Sequence, residues 1–223
     1  MKFRSLLFAL SLLLFISACK ESEISNKPAA EVSDTGATVA ADTAVPARTG
    51  TMPTPGATTT NVIKEKSKIE FVGAKVTRDH QGRFNKFDGW LEYAAGKPSR
   101  LAFDIDLSDI WTDTEKLTEH LKSADFFDVA KYPKATFVST SLTEAPAGAP
   151  CGATHTVKGN LNLHGVEKEV TIPVVAKQSA EGVRTTSEFT INRHDWGISY
   201  KGAVDDLIKD NVLIKLDLLF PNP

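Results

Sequence analysis

Cysteine is almost absent from this 223-residue chain, which carries two, Cys19 and Cys151, and only two methionines. A disulfide framework is therefore excluded, since at most one bridge could form. No apolar run is long enough to span a bilayer. The longest, Leu6 to Ile16, falls short of the ~20 residues a crossing helix needs. Basic excess is also missing, with 26 Lys and Arg against 28 Asp and Glu, so the charge balance argues against nucleic acid as a partner. Nucleophile elbow, P-loop and dinucleotide fingerprint are all lacking. The five histidines, at 80, 120, 155, 164 and 194, show no close metal-ligand spacing, so neither a metal nor a cofactor is expected. Asp104 to Glu115 places acidic or hydroxyl residues where a calcium loop has them. Asp109, however, stands where that loop needs glycine, and a strand pattern precedes it where a helix should.

What is present begins at the N-terminus. Lys2 and Arg4 precede the apolar run, and Ile16-Ser17-Ala18-Cys19 follows it. A basic end, a short apolar segment and small residues before the cut describe a secretory signal over residues 1–18. A cysteine directly after Ser17-Ala18 matches the bacterial lipobox, which predicts cleavage before Cys19 and its acylation. Several acyl chains anchor stably where a single one binds reversibly. Lys20 rather than an aspartate follows, which is the pattern of outer-membrane sorting with the protein facing the periplasm. Without Lys2 and Arg4 the mature chain carries 24 basic and 28 acidic residues, a net charge of −4.

From Lys20 to Thr60 the chain is rich in Ala, Thr, Pro, Ser and Gly and has no aromatic residue. Such a stretch cannot bury enough apolar surface to offset chain entropy and is predicted to be a disordered tether, spanning roughly 35 Å. Residues 19–60 thus form the acylated cysteine and its tether, and residues 61–223 one folded domain. Cys151 lies among Pro146, Gly148, Pro150 and Gly152, the composition of a loop. With Cys19 acylated it has no partner within the chain, which leaves a homodimer through it as a possibility.

Within the domain the dominant period is two. Ile69, Phe71 and Gly73 alternate with polar neighbours, and so do Leu101, Phe103, Ile105 and Leu107. Val157 to Leu163 and Val170 to Ala176 repeat the pattern on either side of a His164-Gly165 turn. Arg83 to Tyr93, Lys134 to Leu142, Val183 to Ile191 and Val212 to Phe220 bring the total to about eight strands. Gly89 and Pro173 mark a bend or an edge. A helix is expected over Asp113 to Ser123, capped by Asp113 or Thr114, with Leu117, His120 and Leu121 on one face. An all-β domain with one crossing helix favours an eight-stranded antiparallel barrel, because closure removes exposed edges. A two-sheet sandwich fits the same periodicity. On periodicity alone the apolar rows favour a packed core over a hollow.

The segment Thr112 to Thr140, TDTEKLTEHLKSADFFDVAKYPKATFVST, is the most distinctive in the chain. Helix, Phe126-Phe127 pair, Asp128, Tyr132-Pro133 and strand follow in order. With Ser67-Lys68-Ile69-Glu70-Phe71-Val72, Gly82-Arg83-Phe84, Phe87-Asp88-Gly89, Leu107 to Asp113, Gly159-Asn160-Leu161, His164-Gly165-Val166 and Ile191-Asn192-Arg193, this stretch resembles the YceI-like family from Ser67 to Phe220. The resemblance implies a lipocalin-like barrel whose hydrophobic pore holds an isoprenoid-type lipid, polyprenyl or quinone-like. It also implies that Arg193-His194-Asp195-Trp196 is a structural corner. The lining candidates are Phe71, Phe103, Ile105, Phe126, Phe127, Phe137, Leu161, Val174, Phe189 and Trp196, with Phe126-Phe127 closing one end. The expected function is that of a membrane-tethered, non-catalytic carrier in the bacterial cell envelope. An enzyme acting on a hydrophobic substrate in the pore and a ligand-free structural or stress-related module are the alternatives.

Overall fold

The structure, a computed structural model, describes residues 23–35, 53–203 and 206–223. Among these residues fourteen strands are present, and nine of them are long. In chain order the first seven are β1 (Glu31–Asp34), β2 (Thr58–Asn61), β3 (Lys68–Ala74), β4 (Asp79–Phe84), β5 (Phe87–Ala94), β6 (Lys97–Asp106) and β7 (Ile110–Thr112). Helix α1 (Glu115–Lys122) then precedes β8 (Lys134–Glu144), β9 (His155–Leu163), β10 (Val166–Ser179) and β11 (Gly182–Asn192). The last three are β12 (Gly202–Ala203), β13 (Asp206–Leu207) and β14 (Asn211–Phe220).

Twelve strands form one antiparallel sheet in the order β2-β5-β6-β8-β9-β10-β11-β14-β3-β4-β7, with β1 added on β10. The sheet curls into a half-barrel of lipocalin type, as the family resemblance implies and not the two-sheet sandwich that the alternation also fits. Val62 N–H donates to Gly89 O of β5 and Ile63 N–H to Leu219 O of β14, which brings the β2–β5 end of the sheet round onto β14. The hairpin β9–β10 turns on His164 (φ 53) and Gly165 (φ 73), the paired positive φ values of a two-residue type I′ turn.

The strand count exceeds eight because the expected strand Arg83 to Tyr93 breaks at Asn85-Lys86. There the chain turns towards Asp109: Asn85 N–H donates to Asp109 O (3.1 Å), and Asn85 Nδ2 donates to Asp109 Oδ1 (3.1 Å). Lys86 Nζ lies 3.1 Å from Asp109 Oδ2. The remaining extra strands are two to four residues long.

Part of the stretch expected to be a disordered tether lies against the barrel instead. Ala30 N–H donates to Thr190 O, Thr190 N–H donates to Pro28 O (both 2.8 Å), and β1 pairs with Lys168 to Thr171 of β10. The cause is an unfilled edge. β10 pairs with β9 as far as Val174 but with β11 only from Val175 to Ser179. Pro173, which has no N–H, marks the point of divergence, and Ser187 Oγ donates to its carbonyl. The open edge above it satisfies its backbone groups with residues 28–34. Ala30 is buried there among core residues, and Ile24 packs outside the sheet on Val72, Ala74 and Leu213. Glu23 pairs with Lys215, and Lys27 with Glu188. The folded domain also starts slightly earlier than Asn61, at Thr58.

Helix α1 starts at Glu115 with Thr114 as its N-cap residue, whose side chain makes no capping bond. Instead Thr118 Oγ1 accepts from Thr112 N–H (3.0 Å), tying the first turn to β7. After the helix, Asp128 adopts φ 46, donates its N–H to Ser123 O (2.9 Å) and accepts from Tyr132 N–H (2.7 Å). Asx residues tolerate this left-handed region, which lets the chain reverse into β8.

Candidate functional site

The curled sheet encloses a cavity of about 440 Å3. Its middle is walled by inward rows of Phe, Leu, Ile and Val from β3, β6, β8, β9, β10, β11 and β14, the residues the period-two pattern places on one face. Nine of the ten sequence candidates face it: Phe71, Phe103, Ile105, Phe126, Phe127, Phe137, Leu161, Val174 and Phe189. Trp196 does not. It is fully buried in the wall, its Nε1–H donating to Leu161 O of β9 (3.2 Å) and its carbonyl 3.0 Å from His164 Nδ1. A buried indole N–H needs an acceptor, and the backbone supplies one in the wall where an apolar bore has none.

The way the rings lie explains why the bore is hollow. A Cβ placed on Gly82 would fall 2.1 Å from Phe71 Cζ, and one on Gly89 would fall 2.3 Å from Phe103 Cε1. On Gly159 it would fall 2.5 Å from Phe137 Cζ. Each of these phenylalanines therefore lies across a glycine on a neighbouring strand, flat against the wall. The sequence shows these glycines as fragments of the family pattern, but it does not show that each seats a ring.

The two ends differ. At the helix end Leu117, Leu121 and Phe126 cover the bore, and Phe126 packs against His120 (5.0 Å between centroids) and Tyr200 (5.3 Å). Phe127 stands edge-on to Phe84, which tilts against Phe71 (6.3 and 5.3 Å). The far end is lined by Pro98, Leu142, His155 and Gln178.

Polar side chains reach the cavity near its ends and at Thr185, Thr186 and Ser187 of β11, and periodicity did not pick them out. His80 is buried, with Nδ1 2.9 Å from Asp113 Oδ1. Arg193 is buried at the helix end, where it donates to Ile198 O (2.7 Å), Lys209 O (3.2 Å) and Ile208 O (3.4 Å). Burial pushes its guanidinium pKa down, and Asp210 Oδ1 at 3.5 Å partly opposes that. With three backbone carbonyls as its partners, Arg193 ties the 198–210 loop to the end of β11. The signal for such a residue is a charged side chain in an inward register. The other histidines are partnered one by one, to Asp125, Thr154, Trp196 O and Asp210. Cys151 is exposed in its loop. Cys19 lies outside the described residues, and among those no helix is long and apolar enough to cross a membrane.

A lipocalin-like half-barrel enclosing a bore walled by apolar side chains defines a hydrophobic ligand-binding protein. The YceI-like domain model matches residues 61–220, and the chain belongs to that family. It is 32% identical over 142 residues to a UPF0312 protein of Pseudomonas putida, covering 60% of this chain and 71% of that one. A UPF0312 protein of Pseudomonas syringae pv. tomato is 31% identical over 159 residues, 66% and 80% of the two chains. BcnA of Burkholderia cenocepacia superimposes with a TM-score of 0.62 at 26% identity, covering 70% of this chain and 98% of BcnA. A polyisoprenoid binding domain from Saccharophagus degradans implicated in plant cell wall breakdown shares the fold at 19% identity. Its TM-score is 0.58, with 74% and 98% covered.

Proposed function

We propose that this chain sequesters or carries an isoprenoid-type lipid, polyprenyl or quinone-like, in its bore, tethered to a membrane of the bacterial cell envelope through acylated Cys19. The observation that carries this reading is the cavity of about 440 Å3 with its mainly apolar wall. That size lies within the ~300–1,000 Å3 of small-molecule sites, and hydrocarbon gains ~0.8 kcal/mol per CH2 on leaving water. A prenyl chain repeats that gain along its length, so the gross driving force is large before the cost of ordering the chain. Family membership and the polyisoprenoid-binding structural relative support the ligand class. The lipobox supports anchoring, with the outer membrane facing the periplasm as the expected site.

Binding, rather than catalysis, suits an interior walled mainly by apolar side chains. Organic extraction of the purified chain followed by mass spectrometry tests the reading. Co-purified polyprenyl lipid is the expected result. A chain without lipid that hydrolyses prenyl esters or reduces quinones would establish an enzyme instead. One that does neither and takes up no added lipid would establish a structural module. Exposed Cys151 allows a disulfide-linked pair, which non-reducing electrophoresis of wild type and Cys151→Ser would reveal or eliminate.

A further inference from the structure

We propose that the helix end of the barrel docks directly on the lipid bilayer and is the portal through which the hydrophobic guest passes. The inference rests on acylation of Cys19, as read above, and on two features of the structure that point to the same end.

The first is where the N-terminal strap begins. Glu23 pairs with Lys215, and Ile24 is buried on Val72, Ala74 and Leu213. Ala74 is the last residue of β3, at the helix end of the barrel. Three residues separate Cys19 from Glu23, so four Cα-to-Cα steps keep the acylated cysteine within about 14 Å of Glu23. The strap then runs to β11 and β10, where Lys27 pairs with Glu188 and residues 28–34 complete the wall. A tether of about 40 residues would let the barrel sit far from the membrane; a docked strap keeps one end beside it.

The second is the surface at that end. Among the described residues, four large hydrophobic side chains stand exposed: Val76 (68%), Leu207 (47%), Trp111 (43%) and Tyr200 (37%). Trp111 lies on the side wall beneath the Arg83 guanidinium, 4.5 Å from the ring. The other three share the helix end. Val76 is two residues beyond Ala74, and its N–H donates to Leu207 O (3.1 Å). Ile208 N–H donates to Lys201 O (3.1 Å), bringing Tyr200 alongside. Tyr200 packs on Phe126, and Phe126 and Ile208 line the cavity. The exposed apolar side chains thus adjoin the mouth of the bore, at the end where Ile24 packs on Val72, Ala74 and Leu213. Residues of both charges neighbour them in the chain, Arg78 and Asp79 beside Val76 and Lys201, Lys209 and Asp210 around Tyr200 and Leu207. Shallow insertion of Val76, Leu207 and Tyr200, rather than attraction to anionic head groups, makes the contact.

The test uses the full acylated chain purified from membranes, with Cys151→Ser and one added cysteine: Val76→Cys, Leu207→Cys, or Lys97→Cys at the far end. The thioether of Cys19 is not labelled. Each variant carries an environment-sensitive fluorophore and is reconstituted into phosphatidylethanolamine–phosphatidylglycerol vesicles containing spin-labelled phosphatidylcholine. Labels at 76 and 207 should be quenched several-fold more than the label at 97. Equal quenching at the three sites overturns the docking, as does an intact mass without acyl chains. The pattern is read without any guest, so a barrel that takes up no lipid would refute the proposed function while leaving docking measurable. For the portal, the double variant Val76→Asp/Leu207→Asp changes only exposed side chains. It should slow transfer of a fluorescent polyprenol to vesicles at least tenfold while retaining lipid in detergent. Unchanged transfer refutes the portal.

Discussion

Replacing Gly82 by alanine asks whether the bore is hollow because aromatic rings lie flat against its wall. The new Cβ would stand 2.1 Å from Phe71 Cζ, against about 3.4 Å for ordinary contact, so the ring must retreat by roughly 1.3 Å. All three of the nearest atoms belong to the Phe71 ring, so the side chain can yield and the strand need not. The free direction is the bore. The displaced ring and the added methyl together deprive the guest of contacts equivalent to one or two CH2 groups, about 1–1.5 kcal/mol, or close to tenfold in affinity. Stability should change by less than ~1 kcal/mol, because a ring moving into a void avoids the ~1–3 kcal/mol of overpacking in a filled core. Replacing glycine within a strand also recovers up to ~0.5–1 kcal/mol. Polyprenol binding by fluorescence titration, alongside urea unfolding of the unliganded chain, separates the two quantities. A variant that loses ~2–3 kcal/mol of stability and binds lipid as before would show a filled interior and refute the reasoning.

Gly159→Ala should behave differently. Its Cβ meets backbone, Val138 O at 2.5 Å, so the strand itself must shift and unfolding should become easier by at least ~2 kcal/mol. Phe126→Asp and Phe127→Asp place a carboxylate at the covered end of the bore and should abolish retention of a quinone-like lipid. A folded variant, by circular dichroism, with unchanged lipid content would refute their role. Ala30→Asp puts a charge where the strap enters the wall and should release β1. Hydrogen exchange should then rise at residues 30–34, and unchanged protection would refute the docked strap. The Asp106 carboxyl is held below the usual carboxylate range, first by Ser108 Oγ–H and then by Ser108 N–H, against the opposing effect of burial. Its folded pKa is thus below the unfolded value near 4, so its contribution is complete above pH ~4 and fades as pH falls through the folded value. Asp106→Asn should therefore lose less stability than wild type between pH 5 and 2, measured by urea unfolding, and an identical acid loss would refute the assignment.

Much of the wall was legible because alternation is a local property. Residues two apart share a face whatever the rest of the chain does, so the seven lining candidates on strands could be chosen from period and residue type, while Phe126 and Phe127 came with the family resemblance. The helix was legible within two residues at its start and one at its end, since its spacing is equally local. Trp196 was misplaced because burial and lining look alike in sequence, and only the carbonyl of Leu161 decides between them. Arg83 to Tyr93 read as one strand because its break depends on Asp109, more than twenty positions away. The Tyr132-Pro133 and His164-Gly165 fragments look independent, yet a Cβ on Gly165 would stand 2.4 Å from Tyr132 Cε1.

By itself the sequence determined the all-β character, the place of the helix, the family and the identity of most inward side chains. All of these follow from short-range periodicity or ordered short motifs. The tertiary structure alone decided that the bore stays open, that residues 28–34 belong to the wall, and that the exposed apolar side chains gather at one mouth. Those outcomes depend on which strand lies beside which. A ring finds its glycine, and a bare edge its partner, only once distant segments of the chain have met.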